Sequence, residues 1–392
     1  PISLLNFKFN RGFLLFIFYY FGKNKLIKIK ARRCSILNKR YNLLIISVIL
    51  SIALITFNNK QNNITMKEVF NAHITQKQNK KIKQKYYLTK DGWLLGKFAK
   101  LLPDYHIKSY SKAINNLSNL NSEKDFYFVS LPHKTNMLKH LYPSGIEGKN
   151  NIDINKENLE KQLTDINFLD TDDYFYRSFT EKERENFFLK TDHHGNSLGA
   201  FEEYKFILDK LDLGLSKLEI DNHLKRYSTR YVNDKIFIGS YNKKMGYPLK
   251  KKESISYVEI SDAKYKYFIS NGTKNTEINE NLIKAKLKDK KEWDYGGAYM
   301  RGCDCHILKI RNSSSLTNKK ALIFRDSYQA PMTWMLADTF KELEILDPRY
   351  IENIDMTYDE IIKNSNADVV LFMYNSFGFA GMMQEMIDKG IV

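Results

Sequence analysis

Cysteine is scarce in this sequence, with three residues among 392. Three cysteines do not build a disulfide framework. Two of them lie in the segment Cys303-Asp304-Cys305-His306, where a disulfide between residues two apart would be strained. A metal site would need more ligands at a recognisable spacing. We therefore interpret both as ordinary thiols near a loop and predict no metal site, with metal binding as the alternative.

Acidic residues are absent from residues 1–65, which carry 11 Lys or Arg. This segment accounts for most of the net charge of +17, because the rest of the chain carries 51 basic and 45 acidic side chains. An ordinary charge balance of this kind does not predict a nucleic-acid-binding surface. Hydrophobic residues make up 43% of the chain, which is typical of a globular protein and excludes a disordered one.

Charge is also absent from residues 41–57 (YNLLIISVILSIALITF), which follow Lys39-Arg40 directly. Seventeen uncharged residues are just long enough to span a bilayer. Positive residues stay on the cytoplasmic side, so the carboxyl end of this run should point outward. No small-residue cleavage pattern follows, which favours an uncleaved signal anchor in contact with membrane lipid over a secretory peptide.

The anchor divides the chain into four predicted parts. They are a basic cytoplasmic segment at 1–40, a transmembrane anchor at 41–57, a polar linker at 58–85 and an extracytoplasmic folded domain at 86–392. The first methionine is Met66. We expect translation to start upstream of it, at Leu37, which would leave a short basic stretch before the apolar run.

Strand-like and helix-like runs alternate in the last third of the chain. The apolar runs 321–324, 343–346 and 367–373 are typical of buried strands, and Thr357 to Glu360 has the spacing of a helix capping box. Residues 125–131 (DFYFVSL) give another buried strand. Uninterrupted apolar strands separated by helices predict an α/β fold with a parallel sheet flanked by helices.

Ser327 follows the predicted strand 321–324 directly. Ligands of open α/β sheets bind outside the carboxyl ends of the strands. A serine at a strand-to-helix turn has an accessible hydroxyl, and the helix N-terminus offers N–H groups to a developing oxyanion. The alternative is that Asp326-Ser327 only caps the helix, and local sequence does not separate the two.

The segment Thr191-Asp192-His193-His194 provides a base for such a serine. An Asp-x-His spacing lets the carboxylate orient the imidazole and stabilise its protonated form. Asn196 just after it can cap a helix, so the acid and the base would lie in a loop before that helix. A solvated polar loop and a metal site on the paired histidines are the alternatives.

The run TDHHGNSLGAFEEY, which begins at Thr191, resembles the signature segment of the DHHW family. That family is similar to alginate O-acetyltransferases of the AlgX and AlgJ type within the SGNH-hydrolase superfamily. Segments that also match follow one another along residues 86–380: Lys90-Asp91-Gly92-Trp93-Leu94, Ser130-Leu131-Pro132-His133-Lys134, Ile238-Gly239-Ser240-Tyr241, 322–328, Asp347-Pro348-Arg349-Tyr350 and Phe372-Met373-Tyr374-Asn375. Their joint occurrence is more specific than any one motif.

The resemblance implies an SGNH-hydrolase-like fold and a catalytic triad. Ser327 would be the nucleophile, His194 rather than His193 the general base, and Asp192 the acid that orients it. Oxyanion and substrate contacts would come from Tyr328, Asn375, Arg325 and His193. Two positions depart from the family pattern: Gly195 stands where Trp is usual, and Arg325 stands where the wider superfamily has glycine.

The implied function is acyl transfer outside the cell membrane, through an acyl-serine and without a cofactor. A sugar hydroxyl as second substrate makes an O-acetyltransferase, and water makes an esterase. The implied partners are an envelope polysaccharide and, because acetyl-CoA is cytosolic, a membrane protein that passes the acyl group outward. The alternatives are a catalytically silent polysaccharide-binding or scaffold domain and a metal-dependent DHH phosphoesterase, which would need a glycine-rich motif that the sequence lacks.

Overall fold

The computed structural model describes residues 86–89, 91–232, 236–244, 253, 255–260, 264–278, 292–300, 307–351 and 354–390, together with the backbone of 21–22 and 25–26. The predicted anchor and linker lie outside the described residues. The chain divides into two units, Pro1–Lys77 and Gln78–Val392. In the first unit, Phe21–Gly22 pairs antiparallel with Lys25–Leu26. No helix among the described residues is long and apolar enough to cross a bilayer.

The elements of the second unit alternate along the chain. The strands are β1 (Tyr87–Leu88), β2 (Leu94–Leu95), β3 (Asp125–Leu131), β4 (Asn167–Asp170), β5 (Ser228–Val232), β6 (Ile236–Phe237), β7 (Ile255–Glu259), β8 (Tyr265–Ser270), β9 (Asn275–Ile278), β10 (Glu292–Trp293), β11 (Ile307–Asn312), β12 (Lys320–Arg325), β13 (Glu342–Leu346) and β14 (Val369–Asn375). The α-helices are α1 (Asp104–Leu120), α2 (Lys134–Met137), α3 (Asn151–Glu160), α4 (Thr171–Ser178), α5 (Glu181–Glu185), α6 (Ser197–Lys210), α7 (Lys217–Leu224), α8 (Ser240–Lys244), α9 (Thr333–Thr339), α10 (Tyr358–Asn364) and α11 (Phe379–Asp388). Short 3-10 helices span Lys139–Leu141, Ser327–Met332 and Pro348–Tyr350, and a π-helix spans Gly296–Met300.

The central sheet has eight strands in the order β9-β8-β11-β13-β12-β14-β3-β4. The five strands from β13 to β4 are parallel, as the apolar runs predicted. The other edge is antiparallel. β11 pairs antiparallel with β13 on one side and with β8 on the other, and β8 and β9 form a hairpin. The prediction of a wholly parallel sheet is therefore wrong at this edge. Its strands carry charged residues between apolar ones, a pattern typical of antiparallel strands with one face in water.

Helices cover both faces of the sheet, which confirms the predicted layers. On one face, α6 and α9 bury side chains such as Tyr204 and Leu336 against the strands. On the other face, α1, α10 and α11 do the same with side chains such as Ile114 and Met386. The central residues Leu322 and Leu371 are fully buried. Replacing a leucine in such a position with alanine costs about 2–5 kcal/mol of stability.

Two helices begin where capping residues in the sequence predicted them. Thr357 and Glu360 form the capping box of α10, and the side chain of Asn196 caps α6 by accepting hydrogen bonds from two backbone N–H groups. The segment that follows β12 does not enter an α-helix directly. It forms a 3-10 helix that contains Pro331, and α9 begins only at Thr333. Proline lacks the N–H that an α-helical hydrogen bond would need there.

Candidate active site

Ser327 lies two residues after β12, at the carboxyl end of a central strand. The preceding residue, Asp326, is the N-cap of the following 3-10 helix and accepts a hydrogen bond from the backbone N–H of Tyr328 at 2.8 Å. Asp326 therefore fills the capping role that was one interpretation of the Asp-Ser pair. Ser327 is free of that role, and its Oγ lies 2.8 Å from Nε2 of His194.

Asp192 and His194 lie in the loop before α6, as the Asp-x-His spacing predicted. Nδ1 of His194 is 2.6 Å from Oδ1 of Asp192. The same oxygen accepts the backbone N–H of His194, and the other carboxylate oxygen accepts the backbone N–H of Ser240. The structure therefore brings the three residues into one chain of hydrogen bonds, from Asp192 through His194 to Ser327, in the arrangement of a Ser-His-Asp triad.

The protonation states of Asp192 and His194 suit the transfer of a proton from Ser327. Burial would raise the pKa of the Asp192 carboxyl, but the charge of His194 and hydrogen bonds from both histidines outweigh it and hold the pKa well below the usual range. Burial, helped by the charge of His193, lowers the pKa of His194 to about 3 against the opposing effect of Asp192. The carboxylate is therefore ionised and the imidazole neutral, which leaves Nε2 able to take a proton from Ser327.

Two tyrosines fix the histidine and the serine. The ring of Tyr295 stacks on His194 with centroids 3.5 Å apart and an angle of 5°, and its hydroxyl donates to the carbonyl oxygen of Ser327 at 2.8 Å. The hydroxyl of Tyr328 donates to the carbonyl oxygen of His193 at 2.9 Å. Tyr328, predicted as an oxyanion contact, therefore ties the serine turn to the histidine loop. Sequence reasoning missed Tyr295, which has no motif around it.

His193 has a different environment from its neighbour. Its Nδ1 lies 2.6 Å from Oγ of Ser240, and about a quarter of the side chain is exposed. It lines a cleft of about 320 Å³ that also contains Ser327, and this depression is called the cleft below. The structure thus places His194 against the serine and His193 at the surface of the cleft.

Lys134 supports the loop that carries the acid, and sequence reasoning missed this role. Its side chain is fully buried, and Nζ donates to the carbonyl oxygens of Leu189, Lys190 and Asp192. Burial lowers the pKa of Lys134 to about 7, although Asp192 and Glu253 oppose the shift. The sequence signals were its position after β3 and its place in the matching segment Ser130 to Lys134, and neither gives the role, because its three acceptors are more than fifty residues away.

Asn375, at the end of β14, lines the cleft beside Ser327. Its Nδ2 donates to the Asp326 carboxylate, and its Oδ1 accepts the backbone N–H of Gly378 at 2.7 Å. These bonds fix the orientation of the amide and leave one N–H of Nδ2 for a ligand. The backbone N–H of Ser327 is the first of a helix and has no acceptor within that helix. Both N–H groups are suited to hold an oxyanion.

Arg325 is not among the residues that line the cleft. It is the last residue of β12 and is only 1% exposed, since strands in this part of the sheet are covered on both faces. Arg349, from the segment after β13, lies in the cleft instead. Two hydrogen bonds of 2.8 and 2.6 Å to the Asp347 carboxylate hold its guanidinium. Arg349 and Lys244, rather than Arg325, therefore bring positive charge to the cleft.

Gly195 is where the family pattern has tryptophan. A Cβ at this position would lie 3.3 Å from the carbonyl oxygen of Phe187, with the ring of Phe188 as its next neighbour. A side chain at residue 195 would therefore first meet this phenylalanine segment, rather than Ser327.

A metal site on the Asp-His-His segment was one alternative. Potential ligand atoms of Asp192, His193 and His194 do lie within 4.8 Å of one another. However, the donor atoms of His194 already bind Asp192 and Ser327, and His193 binds Ser240. Asp192 and His194 are therefore used for the hydrogen bonds to Ser327, and His193 for the one to Ser240. Cys303 and Cys305 lie outside the described residues.

Comparison with known proteins finds solved structures that share this fold. No protein-family model matches the chain, and no curated protein sequence matches it. PatB1 from Bacillus cereus matches with 25% identity and a TM-score of 0.64, over 76% of this chain and 98% of PatB1. PatB1 also has a structure with a sulfonyl adduct.

A DHHW family protein from Eubacterium siraeum matches with 19% identity and a TM-score of 0.61, over 78% of this chain and 94% of that protein. The O-acetyltransferase domain of Pseudomonas putida AlgJ matches more distantly, with 11% identity and a TM-score of 0.44, over 78% of this chain and 99% of the domain. The predicted resemblance to the DHHW family is therefore confirmed, at the level of a shared fold.

Proposed function

We propose that this protein is a serine-dependent acyl-transfer enzyme, an O-acetyltransferase or esterase that acts on a polysaccharide of the cell envelope. The observation that carries the proposal is the hydrogen-bonded chain of Asp192, His194 and Ser327, with distances of 2.6 and 2.8 Å. Its serine opens into a cleft at the carboxyl ends of parallel strands, where ligands of such sheets bind.

The first half of the reaction forms an acyl-serine. His194 Nε2 takes the proton of the Ser327 hydroxyl while Oγ attacks the acyl carbonyl carbon, and the Asp192 carboxylate stabilises the resulting imidazolium. The carbonyl oxygen becomes an oxyanion held by the Ser327 N–H and the Asn375 amide. When the carbon–oxygen bond to the leaving group breaks, His194 returns its proton to that oxygen.

The second half transfers the acyl group. His194 takes a proton from a sugar hydroxyl or from water, the deprotonated oxygen attacks the acyl carbon, and Ser327 leaves with the proton from His194. A sugar as acceptor gives an O-acetylated polysaccharide, and water gives hydrolysis. No step needs a cofactor.

The anchor predicted from the sequence favours this choice of substrate. The uncharged run at 41–57 behind a basic segment is typical of an anchor whose carboxyl end points outward. An enzyme held there would meet envelope polysaccharide rather than cytosolic substrates. A transferase would also need a membrane partner that delivers the acyl group from the cytosol.

The test is hydrolysis of 4-nitrophenyl acetate by the purified chain. We expect turnover that Ser327→Ala and His194→Ala abolish and that a chelator leaves unchanged. Turnover that survives Ser327→Ala would contradict the triad. Chelator-sensitive cleavage of a phosphodiester would favour a DHH phosphoesterase, and inactivity in every assay would favour a silent polysaccharide-binding domain. A sulfonyl fluoride provides a second probe, because it traps activated serines.

A further inference from the structure

His133 lies in the cleft and has no part in the triad. It follows β3 and Pro132, so it stands at the carboxyl end of a parallel strand, as Ser327 and Asn375 do. The residue is 4% exposed, so a group that reaches it must enter the cleft.

The capping bond of α2 fixes the tautomer of His133. Its Nδ1 accepts the backbone N–H of Thr135 at 3.1 Å. Burial, with the nearby charges of His193 and Lys134, lowers the pKa of His133 well below its usual value. A neutral imidazole that accepts at Nδ1 carries its proton on Nε2. No acceptor within the described part of the chain binds this N–H, which therefore remains available to a ligand.

Phe377 provides an apolar surface next to this donor. It lies in the turn after β14 and stacks on His133 with centroids 4.6 Å apart and an angle of 29°. The stacking covers one face of the ring, and 37% of the residue remains exposed. Both residues line the cleft, so a ligand of Ser327 can reach the ring and the Nε2–H together.

We propose that His133 and Phe377 form the subsite that holds a neutral sugar ring of the acyl acceptor, an inference that rests on the proposed function. A sugar has a face of C–H groups, which packs on an aromatic ring, and hydroxyl oxygens, which accept a hydrogen bond from a neutral donor. The cleft of about 320 Å³ is at the lower end of the range for small-molecule sites, ~300–1,000 Å³. It therefore suits one sugar residue, with the rest of the polysaccharide outside.

An acidic sugar is the competing ligand. Lys244 and Arg349 also line the cleft, and the side chain of Arg349 is 40% exposed. However, the Asp347 carboxylate already neutralises it through two hydrogen bonds. A carboxylate-bearing sugar would depend on Arg349 and Lys244 rather than on the His133–Phe377 pair, so a binding experiment separates the two.

The test is calorimetric binding of chitotetraose, a neutral oligosaccharide, to the full chain carrying Ser327→Ala. Adding His133→Asn should weaken binding about tenfold, because one hydrogen bond is lost. Asparagine still caps α2 through its side-chain oxygen, so the unfolding temperature should hardly change. Adding Phe377→Leu should weaken binding to a similar degree, whereas Phe377→Trp should retain it.

Equal affinity with and without His133→Asn overturns the inference, as does failure of chitotetraose to bind at all. Tighter binding of tetragalacturonate that depends on Arg349 and not on Phe377 also overturns it. The proposed function is judged separately, by Ser327-dependent hydrolysis of 4-nitrophenyl acetate. If that turnover is present while binding of chitotetraose does not depend on His133 or Phe377, only the proposed subsite is refuted. If turnover is absent while binding depends on both residues, only the function fails.

Discussion

The two halves of the central sheet differ in what lies at their strand ends. Three residues of the cleft lie at the carboxyl ends of neighbouring parallel strands: Asn375 is the last residue of β14, and Ser327 and His133 come two residues after β12 and β3. The antiparallel strands β8, β9 and β11 bear surface ion pairs such as Arg311 with Glu342 and contribute no residue to the lining of the cleft.

The difference has a geometric cause. Parallel strands all end at one edge of the sheet, so residues far apart in sequence meet there. Antiparallel strands end alternately at opposite edges, and their turns are separated by the length of a strand. The parallel half can therefore assemble a site from several segments, while the antiparallel half extends and stabilises the sheet. The predictions that follow compare residues of the two halves.

The largest effect is expected from the triad. Ser327→Ala and His194→Ala should each lower the turnover of 4-nitrophenyl acetate by about 10⁴-fold or more, because nucleophile and base act as one unit. Arg311→Ala, in the antiparallel half, should change neither turnover nor stability measurably, since its ion pair with Glu342 is exposed. A comparable loss of turnover in Arg311→Ala would contradict the placement of the active site in the parallel half of the sheet.

The next effect compares two asparagines at strand ends. Asn375→Ala, at the end of β14, should lower kcat by about 10²–10³-fold with little change in KM, because an oxyanion donor is lost. Asn312 ends the antiparallel strand β11, and its amide donates to the carbonyl oxygen of Ala337 at 3.0 Å. Asn312→Ala should lower the unfolding temperature and leave kcat alone. Steady-state kinetics and thermal unfolding of both variants check this pair.

Two glycines sharpen the comparison further. A Cβ at Gly239 would overlap backbone atoms of Thr191, so Gly239→Ala should displace the loop that holds Asp192 and cost about 10²-fold in kcat. Gly272, in the β8–β9 hairpin, has a φ of 94°. Gly272→Ala should cost about 1–2 kcal/mol of stability and spare activity. If Gly272→Ala lowered kcat and Gly239→Ala did not, the placement of the active site in the parallel half would be contradicted.

The smallest effect concerns pH. The base must be neutral to act, so activity is lost as pH falls through the pKa of His194. Burial depresses that pKa from 6.5 to about 3. The acid limb of the kcat/KM profile should therefore lie well below pH 6.5. A limb at or above pH 6.5 would mean that the base is a solvated histidine, and His193 would then be the candidate to replace.

The parallel half of the sheet was predicted correctly because its signals are local. The signals for Asp192, His194 and Ser327 are local too, and their catalytic role stays a prediction. An apolar run ending at Ser327 and an Asp-x-His spacing before a capped helix each lie within a few residues. The antiparallel edge was missed because its strands alternate charged and apolar residues and have no uninterrupted apolar run. Arg325 was predicted to contact the substrate, but it is buried and does not line the cleft. The sequence does not tell whether the last side chain of a strand lies under the helices or in the cleft.

The supporting residues could not have been predicted, because their partners are distant in sequence. Lys134 binds carbonyl oxygens of residues 189–192, and Tyr295 stacks on His194 about one hundred residues away. His133 has a clear local role, the cap of α2, and only the fold shows that this residue also lines the cleft. Contacts of this kind follow from the sheet topology rather than from any motif.

The most direct test is to locate the acyl-enzyme. The purified chain would be mixed with 4-nitrophenyl acetate, quenched in acid and mapped by peptide mass spectrometry. Ser240, which is hydrogen-bonded to His193, is the matched control. We predict one acetyl group on Ser327 that persists in Ser240→Ala and disappears in His194→Ala. Acetyl on Ser240, or acetylation of Ser327 that does not depend on His194, would contradict the account.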